Sequence, residues 1–157
     1  MDNYLSILEE SLQKKLKLLD KIQEYNEAQQ QVFSGEQVQL DKFDAYIEEK
    51  GRLIEQVVSL DEGFEALYAN IAEELKNNRA RYGGQIAVLQ QLVKQVTEKS
   101  VSVQAQEARN KALIEAYFAK EKMQIGQGRR SSKVAYSYYS SVNRPAYLEP
   151  QFMDSRK

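Results

Sequence analysis

The densest chemical groups in the chain are carboxylates standing side by side, at Glu9–Glu10, Glu48–Glu49 and Glu73–Glu74. Paired carboxylates do general acid–base work when they converge on one point. Neighbours on a helix point about 100° apart, so these pairs diverge and read as solvated helix faces. Composition closes the other routes to catalysis. There is no Cys and no His, which removes the common nucleophile–base pairs and the Glu-x-x-His metal motif of helical bundles. Gly83–Gly84 lacks both the preceding strand and the Lys–Ser/Thr of a phosphate loop. The expectation is a protein that is not an enzyme, with no catalytic residue, no metal and no cofactor.

A second polar set is more informative. Asn26, Gln29, Asp61, Gln106 and Asn110 fall on otherwise apolar helical seams, and Lys15 and Lys50 are further polar members. A polar seam residue lowers stability but specifies alignment between helices. The alternative reading is a polar layer that receives a partner's backbone or side chains. Both stay open from the residues alone.

The elements that must position these groups are long helices. Residues 1–144 contain no proline, and Gln, Glu, Lys, Leu and Ala, all good helix formers, dominate. Leu5, Leu8, Leu12, Leu19, Ile22 and Phe33 recur at steps of three and four, which predicts a helix over about 3–33, capped by Asp2, Asn3 or Ser6 and stopped at Ser34–Gly35. Leu40, Phe43, Ile47, Ile54, Val57, Phe64, Tyr68, Ile71 and Leu75 predict a second over about 38–77. The repeat does not slip at Gly63, so the reading favours one continuous helix, with a break there as the alternative. Ile86, Leu89, Leu92, Val93, Val96, Val103, Leu113 and Tyr117 predict a third over about 84–124.

Each helix has one apolar face and must bury it. Short connections make sequential helices antiparallel neighbours. The expected fold is all-α: an elongated antiparallel three-helix coiled-coil-like bundle over residues 1–124, followed by an irregular tail over 125–157. The first helix is the shortest, which suggests that part of the other two extends past it as a hairpin.

The tail differs in character. It carries a net charge of +4 against −5 for the rest of the chain, too little to indicate nucleic acid. Gly126, Gly128 and several serines favour loop over helix. Tyr136, Tyr138, Tyr139, Tyr147 and Phe152 nevertheless crowd into it, and such aromatics suit either docking on the chain's own helices or contact with a client helix. No apolar run reaches the ~20 residues of a membrane span, and Met1–Asp2–Asn3–Tyr4 is not a basic leader. A cytoplasmic protein without membrane insertion is expected.

One known family shares several of these features. Tyr4–Leu5 with Leu8, Leu12 and Lys14–Lys15, then Asn26-x-x-Gln29, Phe43 with Lys50, Leu60–Asp61–Glu62–Gly63–Phe64, Gln104-x-x-Glu107-x-Arg109–Asn110 and the Tyr138–Tyr139 tail resemble flagellar type III export chaperones of the FlgN/FliT class, FlgN-like proteins in particular. The Leu-Asp-x-Gly-Phe and Glu-x-Arg-Asn elements are the least generic. The resemblance spans nearly the whole chain. It implies a non-enzymatic chaperone that holds an amphipathic terminal helix of a hook–filament junction or related axial subunit, prevents premature polymerisation, and delivers the client to the export apparatus. A groove between long helices can accept such a helix through i, i+3, i+4, i+7 anchors. By position, Leu113, Tyr117, Phe118, Met123, Tyr136, Tyr138 and Tyr139 are the candidate partner-binding residues. The competing readings are a homo-oligomeric coiled-coil scaffold and a helix-binding regulator, and homodimerisation stays open.

Overall fold

The structure, a computed structural model, describes residues 1–120, 134, 135 and 137–140. Three long helices make up most of it: α1 (Asp2–Val32), α2 (Leu40–Asn77) and α3 (Gly83–Lys120). All lie within a few residues of their predicted limits, and residues 121–124, assigned to the third helix from sequence, fall outside the described residues.

Local chemistry explains the ends. Asp2 is the first helical residue rather than a cap, and its carboxylate faces the positive end of the helix dipole. At the end of α1, the Phe33 amide donates to the Gln30 carbonyl at 3.1 Å and the Ser34 amide to the Gln31 carbonyl at 3.0 Å, tightening the last turn at Ser34–Gly35. Asn78 closes α2 with two bonds to the Glu74 carbonyl, one from its amide and one from its side-chain Nδ2, each 3.0 Å. Tyr82 is buried in the turn that follows, and its carbonyl receives the Ile86 amide at 2.9 Å.

Helix α2 runs unbroken through Gly63, because the apolar repeat continues on both sides. The buried positions of α2 include Phe43, Ile47, Lys50, Val57, Phe64, Ile71 and Leu75. Those of α1 are Leu5, Leu8, Leu12, Lys15, Leu19, Ile22, Asn26 and Gln29. In α3 they are Ile86, Leu89, Val96, Ser100, Val103, Glu107, Asn110 and Ile114. These are seven-residue repeats with seam positions spaced by three and four.

The α3 seam departs from the sequence expectation. Glu107 and Ile114 are buried, whereas Gln106 and Leu113, one residue earlier, are half-buried on its flank. Counting from Val103 by three reaches Gln106 and by four reaches Glu107, and both routes rejoin at Asn110. A charged residue is the less obvious choice for a seam, and the buried lysine opposite is what makes it the right one.

Side-chain pairs give the directions. Asp2 meets Gln85, Asp20 meets Lys99, Gln23 meets Ser102 and Asn26 meets Asn110, so α1 and α3 run parallel. Lys15 meets Asp61, Asn26 meets Lys50 and Gln29 meets Phe43, so α2 runs antiparallel to α1. The close helix–helix packing is of α1 against α2 and of α1 against α3. The expected α2–α3 hairpin beyond α1 is therefore not the main packing unit: α1 is the shared partner.

Two apolar clusters result. The larger runs from Leu5 to Ile22 on α1, Val57 to Leu75 on α2, and Tyr82 to Val103. The smaller holds Phe43, Ile47, Ile114, Ala135, Tyr138 and Tyr139. Residues 134, 135 and 137–140 are helical, contrary to the loop expected from their serines. Burial of the aromatic side chains outweighs the small helix-propensity cost of Ser.

Three outcomes follow from this packing. Val57→Asp, at a position with no exposure, is expected to cost more than about 3 kcal/mol in urea unfolding, because it buries an unpaired charge. Val101→Asp, at a position 60% exposed, should stay within about 0.5 kcal/mol of the parent. A Cβ added at Gly63 meets no atom within 4 Å, so Gly63→Ala should raise the unfolding midpoint by about 0.5–1 kcal/mol equivalent.

Candidate functional site

The site lies where the C-terminal half of α1, the N-terminal half of α2 and the C-terminal half of α3 meet the 134–140 segment. Its centre is Lys50. The seam of α2 places this ammonium in the interior with no exposure, where a charge is tolerated only if it is paired and hydrogen-bonded. Lys50 Nζ donates to Glu107 Oε1 at 2.9 Å and Oε2 at 3.1 Å, and to Asn26 Oδ1 at 2.7 Å. Those three bonds use all its donors. Each of the three helices thus supplies one member of a buried layer.

The layer continues outward. Asn26 Nδ2 donates to Gln106 Oε1 at 3.2 Å, and Gln106 in turn donates to Glu27 at 2.9 Å. Asn110 Nδ2 donates to the Asn26 carbonyl at 3.1 Å and lies 3.4 Å from Gln29 Oε1. Gln29 Nε2 donates to the Phe43 carbonyl at 3.1 Å. These side chains lie between the bulk of the two apolar clusters, which Ile54 bridges.

The tail segment completes the layer. Tyr138 donates its hydroxyl to Glu107 Oε1 at 2.7 Å, and Lys50 Nζ lies 4.4 Å from the centre of the Tyr138 ring. One phenol thus supplies a charge-assisted hydrogen bond to the carboxylate and a cation–π contact to the ammonium. Tyr139 packs beside it, ring centres 5.0 Å apart in an edge-on arrangement. The Tyr139 hydroxyl is buried and has no hydrogen-bond partner among the described residues. Burial first, then the carboxylates of Glu107 and Glu115, push that phenol well above its ordinary range.

Electrostatics at the centre follow from desolvation. Burial lowers the Lys50 ammonium to about 8, against the opposing pull of Glu107. A second pair stands in the larger cluster, with Lys15 Nζ 2.8 and 3.0 Å from the Asp61 carboxylate oxygens. Burial lowers Lys15 and raises Asp61, with their mutual attraction opposing both shifts.

Four of the sequence-selected residues converge here. Tyr138 and Tyr139 are buried in the smaller cluster, and Phe118 packs against it. Tyr117 stands 6.2 Å from the Phe33 ring and 5.8 Å from Phe118. Leu113 is half-buried on the flank of α3. Met123 and Tyr136 lie outside the described residues. Glu107 was not among the candidates, although continuing the seven-residue repeat from Val96 and Ser100 through Val103 would have reached it. The paired carboxylates of the sequence reading are half-buried or exposed on the helices and form no cluster with one another. Among the described residues, no group of three His, Cys, Asp or Glu could hold a metal ion, and no helix is long and apolar enough to cross a membrane.

The fold and the site together define an all-helical protein with a buried ionic layer, closed at one end by a short helical segment of its own chain. No family model matches the chain, and neither does any curated protein or solved structure.

The layer makes two measurable claims. Lys50→Met or Glu107→Leu alone leaves one charge buried without its partner and should cost about 3–5 kcal/mol. The double variant should recover most of that loss, and a double-mutant cycle in urea measures the coupling. The pH dependence has a definite sign. Between about 8 and the ordinary lysine value of 10.5, native Lys50 has released a proton that the unfolded chain still holds, so stability rises with pH. Lys15 acts in the same direction. Above the ordinary tyrosine value of 10.0, the unfolded chain releases a proton that native Tyr139 keeps, so stability falls. The urea midpoint should climb from pH 8 towards 10 and then drop, and the climb should shrink in Lys50→Met.

Proposed function

We propose that the protein is a helix-binding chaperone whose groove, between the first half of α2 and the second half of α3, holds an amphipathic helix of a protein client. One observation carries this reading. A short helical stretch distant in sequence from α1 and α2 seats Ala135, Tyr138 and Tyr139 against Phe43, Ile47 and Ile114. Those anchors fall at i, i+3 and i+4, the spacing by which a helix fills a groove. The surface is therefore suited to a helix that arrives from elsewhere, and it combines an apolar floor with a polar centre.

The finer reading is an export chaperone of the FlgN-like kind, within a three-helix antiparallel coiled-coil bundle. It rests on the sequence elements at Leu60–Phe64 and Glu107–Asn110 and on the aromatic tail. In that reading the protein works in the cytoplasm, holds the terminal helix of a hook–filament junction or related axial subunit, and hands it to the export apparatus. Phe118, which packs against the cluster of the docked residues, and Tyr117 beside it extend the contact surface in the last turns of α3.

Calorimetric titration of the purified chain with terminal-helix peptides of junction subunits tests this. Saturable binding at roughly micromolar affinity (about −8 kcal/mol), weakened at least tenfold by Ile114→Asp, is the expected result. A tight homodimer by light scattering that binds none of these peptides would instead establish the scaffold reading.

A further inference from the structure

The docked segment also states what kind of helix the groove selects. Glu107 is 5% exposed and lies between two cationic or donor groups, the Lys50 ammonium and the Tyr138 hydroxyl. Lys50 already spends its three protons on Glu107 and Asn26, so it has none left to compensate for a missing phenol. An aliphatic or Phe side chain at the place of Tyr138 would leave Glu107 Oε1 one donor short in a site closed to solvent, a loss larger than the net value of an ordinary hydrogen bond. The ring itself is also selected, because Lys50 Nζ sits 4.4 Å from its centre.

The next position follows a different rule. Tyr139 is equally buried, but its hydroxyl has no hydrogen-bond partner among the described residues, and the carboxylates of Glu107 and Glu115 are the charged groups that act on it. A hydroxyl gains nothing there, so a bare ring serves at least as well. At the first anchor, Ala135 is 4% exposed within the same cluster as Phe43 and Ile114, so the side chain seated there is a small one.

We infer that the groove is specific for helices of the pattern small-x-x-Tyr-aromatic, in which the Tyr hydroxyl is read by Glu107 and the following aromatic is read by shape alone. The inference rests on the groove reading given above and adds the chemistry of the partner: a protein segment that brings a hydrogen-bond donor on an aromatic ring to a buried carboxylate, rather than a purely aliphatic helix.

Peptides of about twenty residues centred on positions 134–140 provide the probe, in three forms: the natural sequence with Tyr138–Tyr139 (Tyr-Tyr), one with Tyr138→Phe (Phe-Tyr), and one with Tyr139→Phe (Tyr-Phe). The full chain carrying Tyr138→Ala and Tyr139→Ala is the receptor, since its own segment then lacks both anchors, and fluorescence anisotropy gives the affinities. The Tyr-Tyr and Tyr-Phe peptides should bind alike, with Phe-Tyr at least tenfold weaker. Adding Lys50→Met and Glu107→Leu together to the receptor, which removes the buried pair while keeping apolar packing, should abolish that preference. Equal affinity of Phe-Tyr and Tyr-Tyr for the receptor with Lys50 and Glu107 intact would overturn the specificity while leaving the groove intact. Binding by none of the three, with the receptor's helicity unchanged, would overturn both the specificity and the groove reading on which it rests.

Discussion

The contact on which the arrangement depends is the buried Lys50–Glu107 pair with Asn26 as its third member. A lysine ammonium cannot be left unpaired in an apolar interior, and a carboxylate cannot either. Each helix therefore has to present its polar residue at one level: sliding α2 or α3 by a single turn would bury both charges unpaired, and sliding α1 would take Asn26 away from Lys50. Apolar seams alone tolerate such slips, because one leucine resembles the next across a heptad. The ionic layer trades some stability for a single alignment of three long helices.

That alignment has a consequence for the tail. Glu107 has acceptor capacity beyond what Lys50 fills, and the Tyr138 phenol takes it up. The same residue that sets the register of the helices therefore also provides the polar contact for the segment that covers them. The apolar residues around it, Phe43, Ile47 and Ile114, supply contact area, whereas the layer supplies direction. Apolar contacts alone would let the segment sit at many positions and angles; one buried carboxylate limits them.

The two ion pairs have different neighbours. Lys15–Asp61 lies within the larger cluster, and the Asp61 side chain keeps partial contact with solvent. It aligns α1 with α2 without involving α3 or the tail. Lys50–Glu107 joins α2 to α3, which otherwise meet less closely than either meets α1. Its position between the apolar clusters leaves the end of the molecule with a small core that is completed by residues distant in sequence.

Much of this was legible in the amino-acid order. The seams of α1 and α2, their lengths and the continuity of α2 through Gly63 follow from the spacing of apolar residues and the lack of proline, because a helix must show its buried face at every third or fourth residue. Asn26, Gln29, Lys50 and Asp61 were visible as interruptions of those seams, and Tyr138 and Tyr139 as aromatics out of place in a serine-rich tail. Glu107, Ile114 and Tyr82 were not. A glutamate earns no weight as a seam residue until the lysine opposite it is known, and Tyr82 sits in a turn where periodicity has no meaning. Residue spacing alone dictates long amphipathic helices with polar residues at set heights. Which polar residues meet, that α1 is the partner shared by the other two, and that residues 134, 135 and 137–140 are helical came from the folded arrangement. Pairing between charges depends on distances across the chain, and a short segment with weak helix propensity takes its conformation from the surface that buries it.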